Sequence, residues 1–478
     1  MKKINKIKLL ILSAIISFAA CDTVDFGDTN VNPNAPSNAV PSLLLTSVQR
    51  GMSAYIANTT SNLYVQYLSN GQYDEESRYE TLNWSSDDAY AQLQDIAEII
   101  KINTNDETKV SAQAYGSNGN QIAAATILKV WYFQLMTERW GYLPYSEAND
   151  AANFLKPKYD SQEDIYMGLF AELDMALGMI NSGNGPDGDI LFGGDMTKWR
   201  TFANTIKMVM GLRLSKADPT TGRAKFNEAR TGAISSNAQN IQYTYLTEDT
   251  NDNPWQDRFE SRKDYLLSDV FVNVLIGSGT NVAPEDPRLA KFAEPATTSS
   301  TFVGAPYGKS NSATANYSFI TDNIIFTGDA PLMIYTYAEV LFARAEAAAK
   351  GWTTENAASL YGQAITASMQ QWGVSAGDIT TYVTANPYSG ISDIAYEKWV
   401  SLYLQGYNSW AEWRRFKAEG TNSKIPLVIA ADLLSNATGI PQRHAYSATA
   451  KGNNEVNYNA AISAQGADEL DTKLWLFK

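Results

Sequence analysis

From Leu44 onward, apolar residues return at helical spacing. Leu44, Val48 and Met52 fall on one face with Tyr55 following, just after Pro41-Ser42-Leu43 opens the pattern. Residues 86–100 begin in a Ser-Ser-Asp-Asp run, which caps a helix and places negative charge at its start. The stretch 121–140 is long and apolar. Ile165, Leu169, Leu173, Ala176, Leu177 and Ile180 line one face of 163–180, and Trp199, Phe202, Ile206, Met210 and Leu214 line one face of 198–216. The pattern predicts further helices over 331–350, 355–372 and 394–419. The pair 331–350 and 355–372 is joined by Gly351-Trp352-Thr353-Thr354, and Ala343, Ala345, Ala347 and Ala348 permit close approach of helices.

Strands are predicted only at 242–246 and 324–326. The chain therefore reads as mainly α: tetratricopeptide-like helix pairs forming a superhelical scaffold, although no clean 34-residue period runs through it. Long irregular stretches at about 70–85, 102–120, 245–265, 277–330 and 375–392 separate the helices. Loops of this length in a compact domain are often binding elements.

The N-terminus follows a different pattern. Lys2, Lys3, Lys6 and Lys8 precede an uncharged run from Leu9 to Ala20. That is the layout of a secretory signal, and it is too short to span a bilayer, which takes about 20 residues. Phe18-Ala19-Ala20-Cys21 resembles a lipobox, with Phe18 departing from the usual Leu. Cys21 is the only cysteine, so it cannot close an internal disulfide. Its position makes it a lipid attachment point. The expected organisation is a signal peptide at 1–20, a lipidated acidic and Asn/Pro-rich tether at 21–40, and one domain at 41–478.

Composition narrows the function. A net charge of −14, more acidic still once the four lysines of the signal leave, disfavours nucleic acid and anionic lipid, which need a basic face. Contact with a membrane is expected through the lipid alone. The 27 Tyr, 17 Phe and 11 Trp exceed what a core needs, and many lie among Asn, Ser, Thr and Gly in the loops. Aromatic faces with polar tips suit neutral ligands such as sugars and peptides.

Catalytic chemistry finds little support. His444 is the only histidine, so a His-based triad or metal site has no second partner of that kind. Gly183-Asn-Gly-Pro-Asp-Gly188 spells a dinucleotide fingerprint but follows a helix and contains Pro186, so it reads as a helix-ending turn. Paired carboxylates could serve a glycosidase, but Glu339, Glu346 and Glu412 are expected to pair with Arg344, Arg414 or Arg415 inside the scaffold. Asp187, Asp189 and Asp195 could offer oxygens to calcium, without the spacing of a known calcium loop; whether any metal binds is left open, and no cofactor is expected.

Trp131, Trp140, Trp199, Trp399 and Trp410 sit on apolar helical faces and read as core. The candidates for ligand contact are in the loops: Tyr73, Arg78 and Trp84; Trp255 and Arg258, in a polar stretch without an evident apolar face; and Tyr307 and Tyr317, in a Gly/Ser/Asn-rich stretch. Sugars present C–H patches to aromatic rings and hydroxyls to Asn, Asp and Arg.

Several motifs together resemble one family. They are Asn32-Pro-Asn-Ala-Pro-Ser-Asn-Ala-Val-Pro41, Lys129 to Glu147 with its Trp140-Gly141 turn and Pro144-Tyr145, and Gly193-Gly-Asp195 with Lys198-Trp199. Tyr337 to Glu346, Trp410-Ala-Glu-Trp-Arg-Arg415 and Ile440-Pro-Gln-Arg443 extend the match over nearly the whole mature chain. The chain resembles the SusD/RagB surface lipoproteins of the Bacteroidetes, and the SusD-like subgroup in particular. The resemblance implies four tetratricopeptide-like helix pairs supporting a less regular ligand-binding part. It also implies a non-catalytic lipoprotein of the outer membrane, facing the cell exterior. Such a protein captures an oligomeric nutrient, usually an oligosaccharide, for a SusC-type TonB-dependent transporter. RagB-type members make peptide the alternative ligand, and a structural or adhesive surface lipoprotein is a further alternative.

Overall fold

Helices built on these patterns pack in sequence-adjacent pairs. The computed structural model describes residues 39–80, 88–283, 285–310 and 313–478. The signal segment, Cys21, nearly all of the tether and Trp84 lie outside the described residues. Residues 41–478 form one compact unit.

Helix Asn118–Trp140 is buried on almost every side because it packs against Tyr90–Thr104, Gln162–Met179 and Met196–Arg213. Short polar side chains start these helices: Ser117 accepts from the Asn120 amide, Ser161 from Asp164, and Asp195 from Thr197. Met196–Arg213 pairs with Pro219–Ala229, and Tyr337–Ala349 with Ala357–Gln371. Ile391–Ser401 pairs with Gly406–Glu419. The predicted single helix 394–419 is thus two, broken at residues 402–405, where Leu404 takes φ +64°. Its apolar pattern continues through the break, so periodicity alone hid the turn. The start of predicted helix 331–350 is likewise a strand, with the helix beginning after Thr336 caps it. The predicted strand at 324–326 falls instead on a short helix, Asp322–Ile325.

The small sheets position the irregular part. Strands β1 (Leu68–Asn70), β3 (Tyr265–Leu267), β4 (Ala293–Glu294) and β5 (Phe319–Ile320) make one sheet in the order β1-β3-β5-β4, antiparallel throughout. Leu68 faces Leu267, Asn70 faces Tyr265, and Leu266 faces Phe319. Strands β2 (Ile241–Tyr243) and β6 (Leu332–Tyr335) form a second, antiparallel pair.

Where five helices meet, the core carries paired charges. Arg213 reaches Glu412 and Glu138, Lys398 reaches Glu412 at 2.9 Å, and Arg415 holds Glu346 at 2.7 Å and also Glu412. Ions this deep are tolerated only when paired, and three cations around Glu412 overcome its burial and hold its carboxyl well below the usual range. The expected pairings for Glu346 and Glu412 thus form with Arg415, whereas Arg344 pairs with Glu355 and Arg414 donates to the carbonyls of Glu138 and Gln442. Glu339 is the exception. Neither of its carboxyl oxygens has a hydrogen-bond partner among the described residues, and burial lifts its pKa to about 7 against the pull of Lys398 and Arg213. All five tryptophans read as core are buried.

Candidate functional site

Six of the seven loop residues singled out above are described, and all six lie on or beside the four-stranded sheet. Tyr73 follows β1, its amide donating to Asn70 Oδ1 at 2.8 Å. Arg78 ends the turn Asp74–Arg78, paired with Asp74 at 2.8 Å. Trp255 and Arg258 sit on helix Pro254–Ser261, which leads into β3. Tyr307 follows Ala305, which bridges to Ser268 at the end of β3, and Tyr317 precedes β5. Antiparallel pairing of short strands thus gathers loops some 250 residues apart in the chain onto one sheet.

Their exposures divide them. Trp255 is fully buried, edge-on to Tyr265 with ring centroids 6.0 Å apart. The stretch read as having no apolar face is a helix: Asn253 caps it by accepting from the Trp255 amide, and Trp255 and Phe259, four residues apart, point inward together. Tyr307 is buried too, its hydroxyl donating to the Leu63 carbonyl at 2.8 Å. The expectation that these two present open ring faces is overturned. Arg258 lies over the Trp255 ring and donates to the Pro254 carbonyl, so its guanidinium serves packing. Tyr317 is half-buried against the core.

Tyr73 is different, with 39% of its surface open. The guanidinium of Arg262 lies 5.0 Å from its ring centroid and donates to its hydroxyl, while also pairing with Asp264 at 3.2 Å. Below this surface, Glu76 accepts from Asn70 and from the Tyr265 hydroxyl; burial still raises its carboxyl above the ordinary range. Beside Arg78 runs the segment 428–434. The Gln66 side chain holds both the amide and the carbonyl of Val428, Arg78 donates to the Asp432 carbonyl, and the Leu434 amide donates back to the Arg78 carbonyl. Tied down in this way, the segment leaves Val428, Ile429 and Leu434 exposed. The result is a surface of one aromatic ring, two guanidinium groups, two carboxylates and exposed aliphatic side chains. It can stack on an apolar ligand face and hydrogen-bond to hydroxyls around it.

Arg262 and the 428–434 segment were not singled out from the sequence. The charged triplet Arg262-Lys263-Asp264 before a Tyr-Leu-Leu strand was a usable signal. The apolar Val428-Ile429 pair was not, because an exposed pair and a buried pair have the same sequence.

Two of the three carboxylates weighed for calcium are already engaged within the fold, Asp189 most fully. Its oxygens accept from the amides of Leu191, Phe192 and Gly194 and from Gln49 Nε2 and Trp199 Nε1, and Asp195 is occupied as a helix cap. Among the described residues no cluster of three or more His, Cys, Asp or Glu is placed to hold a metal. His444 is buried between Trp410, Trp140 and Tyr64; burial and three neighbouring arginines hold its pKa well below the ordinary value.

A separate cavity of about 280 Å³ opens where helix Asn118–Trp140 ends. Gly141 allows the chain to turn there: its φ is +81°, and a side chain would collide with Gln465. Tyr90, Trp140, Tyr159 and Tyr446 form its aromatic walls.

Over residues 33–446 the sequence matches the SusD-like family described as starch-binding and associating with the outer membrane. No curated protein matches it. Among solved structures, a chitin-binding protein shares 25% identity and superposes with a TM-score of 0.79, covering 92% of this chain and 100% of that one. A SusD homologue from Bacteroides fragilis is 19% identical with a TM-score of 0.74 over 92% of this chain and 100% of its own. A SusD-like protein from Bacteroides thetaiotaomicron is 20% identical with a TM-score of 0.74, covering 91% and 98%.

Proposed function

The chain belongs to the SusD-like family of starch-binding proteins that associate with the outer membrane, and on that premise we propose that it captures a neutral oligosaccharide at the cell surface and delivers it to a SusC-type TonB-dependent transporter. The observation that carries the reading is the open Tyr73 ring with Arg262 across it, beside Arg78, Asp74 and Asp264. Stacking and hydroxyl recognition are both supplied there, beside the four-stranded sheet. The similarity to a chitin-binding protein supports a glycan over a peptide, and the acidic net charge disfavours an anionic polymer.

The protein binds without consuming. The family is a binding family, and the sole histidine is sealed in an aromatic and arginine-lined core. Attachment is through a lipid on Cys21, a reading supported by the uncharged run from Leu9 and the small residues Ala19-Ala20 directly before it.

Calorimetric titration of residues 22–478 with maltohexaose, chitohexaose and a peptide library tests the ligand class, with mass spectrometry of the same mixtures for products. Saturable heat with one glycan and no new mass is the expected result. Binding of peptides alone, or a product of turnover, overturns the reading. Co-purification of a TonB-dependent transporter on the lipidated protein from native membranes tests delivery.

A further inference from the structure

The cavity at the end of helix Asn118–Trp140 has the construction of a ligand site. Three of its four aromatic walls have their polar tips satisfied within the protein: Tyr90 Oη donates to the Pro144 carbonyl at 2.8 Å, Trp140 Nε1 to the Ala445 carbonyl at 3.0 Å, and Tyr446 Oη to the Tyr142 carbonyl at 2.6 Å. Arg139 lies 4.3 Å from the centre of the Trp140 ring and Arg443 4.6 Å from that of Tyr446, so these rings are held in place by cations that do not line the cavity. The lining is mainly apolar, with Asp88, Ser447, Thr449, Asn453 and Asn454 among it. Leu155 stands at the mouth and is 88% exposed. An aromatic enclosure with a few polar groups at its edge is the profile of a small-molecule site.

The cavity is backed by the aromatic core. Behind Trp140, buried rings continue to His444 at 5.7 Å, to Tyr64 at 6.0 Å and to Tyr79 at 5.8 Å. At about 30 Å³ per displaced water, the 280 Å³ of the cavity is the equivalent of roughly nine waters, enough for one sugar ring. Among the described residues no lysine or arginine lines it, whereas Asp88 does, so an acidic sugar is disfavoured.

We propose that this cavity is an end-binding subsite that takes one terminal ring of a neutral oligosaccharide. The inference rests on the glycan reading given above. It makes recognition depend on a chain end, which a surface platform alone does not.

The test is calorimetric titration of maltohexaose and chitohexaose, each unmodified and with a bulky substituent on either end in turn. On the unaltered protein, one of the two blocked forms should bind at least tenfold more weakly than the free hexamer. Ala450→Phe, which projects a ring into the cavity from the short helix 448–453, should lower affinity for the free hexamer at least tenfold. Asn453→Ala, an exposed position, should lower it severalfold with an unchanged melting temperature. If both blocked forms bind like the free hexamer, or if Asn453→Ala and a folded Ala450→Phe bind like wild type, the subsite is overturned while glycan capture stands. If the unaltered protein binds neither hexamer, both fall.

Discussion

The guanidinium of Arg262 lies 5.0 Å from the ring centroid of Tyr73 and donates to its hydroxyl, joining two loops 189 residues apart. One loop leaves β1 and the other enters β3, and the pairing of Asn70 with Tyr265 brings them together. The contact orients an aromatic ring that remains substantially open, so its removal should affect binding more than folding.

Tyr73→Ala is expected to weaken glycan affinity about tenfold or more, since truncating a hot-spot aromatic costs about 2 kcal/mol and each 1.4 kcal/mol is about tenfold. Arg262→Ala should act in the same direction with a smaller loss. Both melting temperatures should stay close to wild type. Titration and scanning calorimetry on the same samples check this. A large drop in melting temperature with Tyr73→Ala would place that ring in the core instead.

Trp255→Ala is expected to unfold the protein several degrees earlier, because truncating a buried aromatic costs about 3–5 kcal/mol. Trp255→Phe should cost much less. The Trp255 Nε1 has no hydrogen-bond partner among the described residues, and Phe deletes that buried donor while keeping a ring against Tyr265. Thermal unfolding of the two variants separates them; equal losses would mean that the indole N–H is satisfied.

Glu339 should leave a signature in the pH dependence of stability. Its folded pKa of about 7 is raised by burial. Below the unfolded carboxyl value, both states carry the proton and there is no penalty. Between about pH 4.5 and 7 the unfolded state ionises first, so stability falls as pH rises, by about 3 kcal/mol for a shift of this size. Glu339→Gln should remove that slope and stabilise the protein most near neutral pH. Urea unfolding at pH 5 and pH 7.5 checks it: an unchanged slope in the variant would exonerate Glu339. Glu412, held low by Arg213, Arg415 and Lys398, works oppositely: its contribution is full above the unfolded carboxyl value and is lost progressively as pH falls from there into strong acid.

Cys21→Ser should leave the protein unlipidated and free of the membrane fraction. Incorporation of labelled palmitate into wild type and variant is the measurement, and equal label in both would remove Cys21 as the anchor.

The sequence by itself determined the class of the fold. Apolar residues at 3.6-residue spacing specify helices because a helix must bury one face, and that requirement is local. It was enough to identify Trp131, Trp199 and Trp410 as core, and the motifs from Lys129 to Glu147 and Trp410 to Arg415 were enough for the family. It did not determine which loop aromatics face outward. Tyr73, Trp255 and Tyr307 all lie among polar residues, yet one is open and two are buried. The difference arises from β1, β3 and β5 pairing across the chain, which encloses Trp255 and Tyr307 and leaves Tyr73 beyond the strand end. The break at 402–405 and the enclosure formed by Tyr90, Tyr159 and Tyr446 have the same origin. Each depends on which distant segment comes to lie against it, and burial is a property of that neighbour as much as of the residue itself.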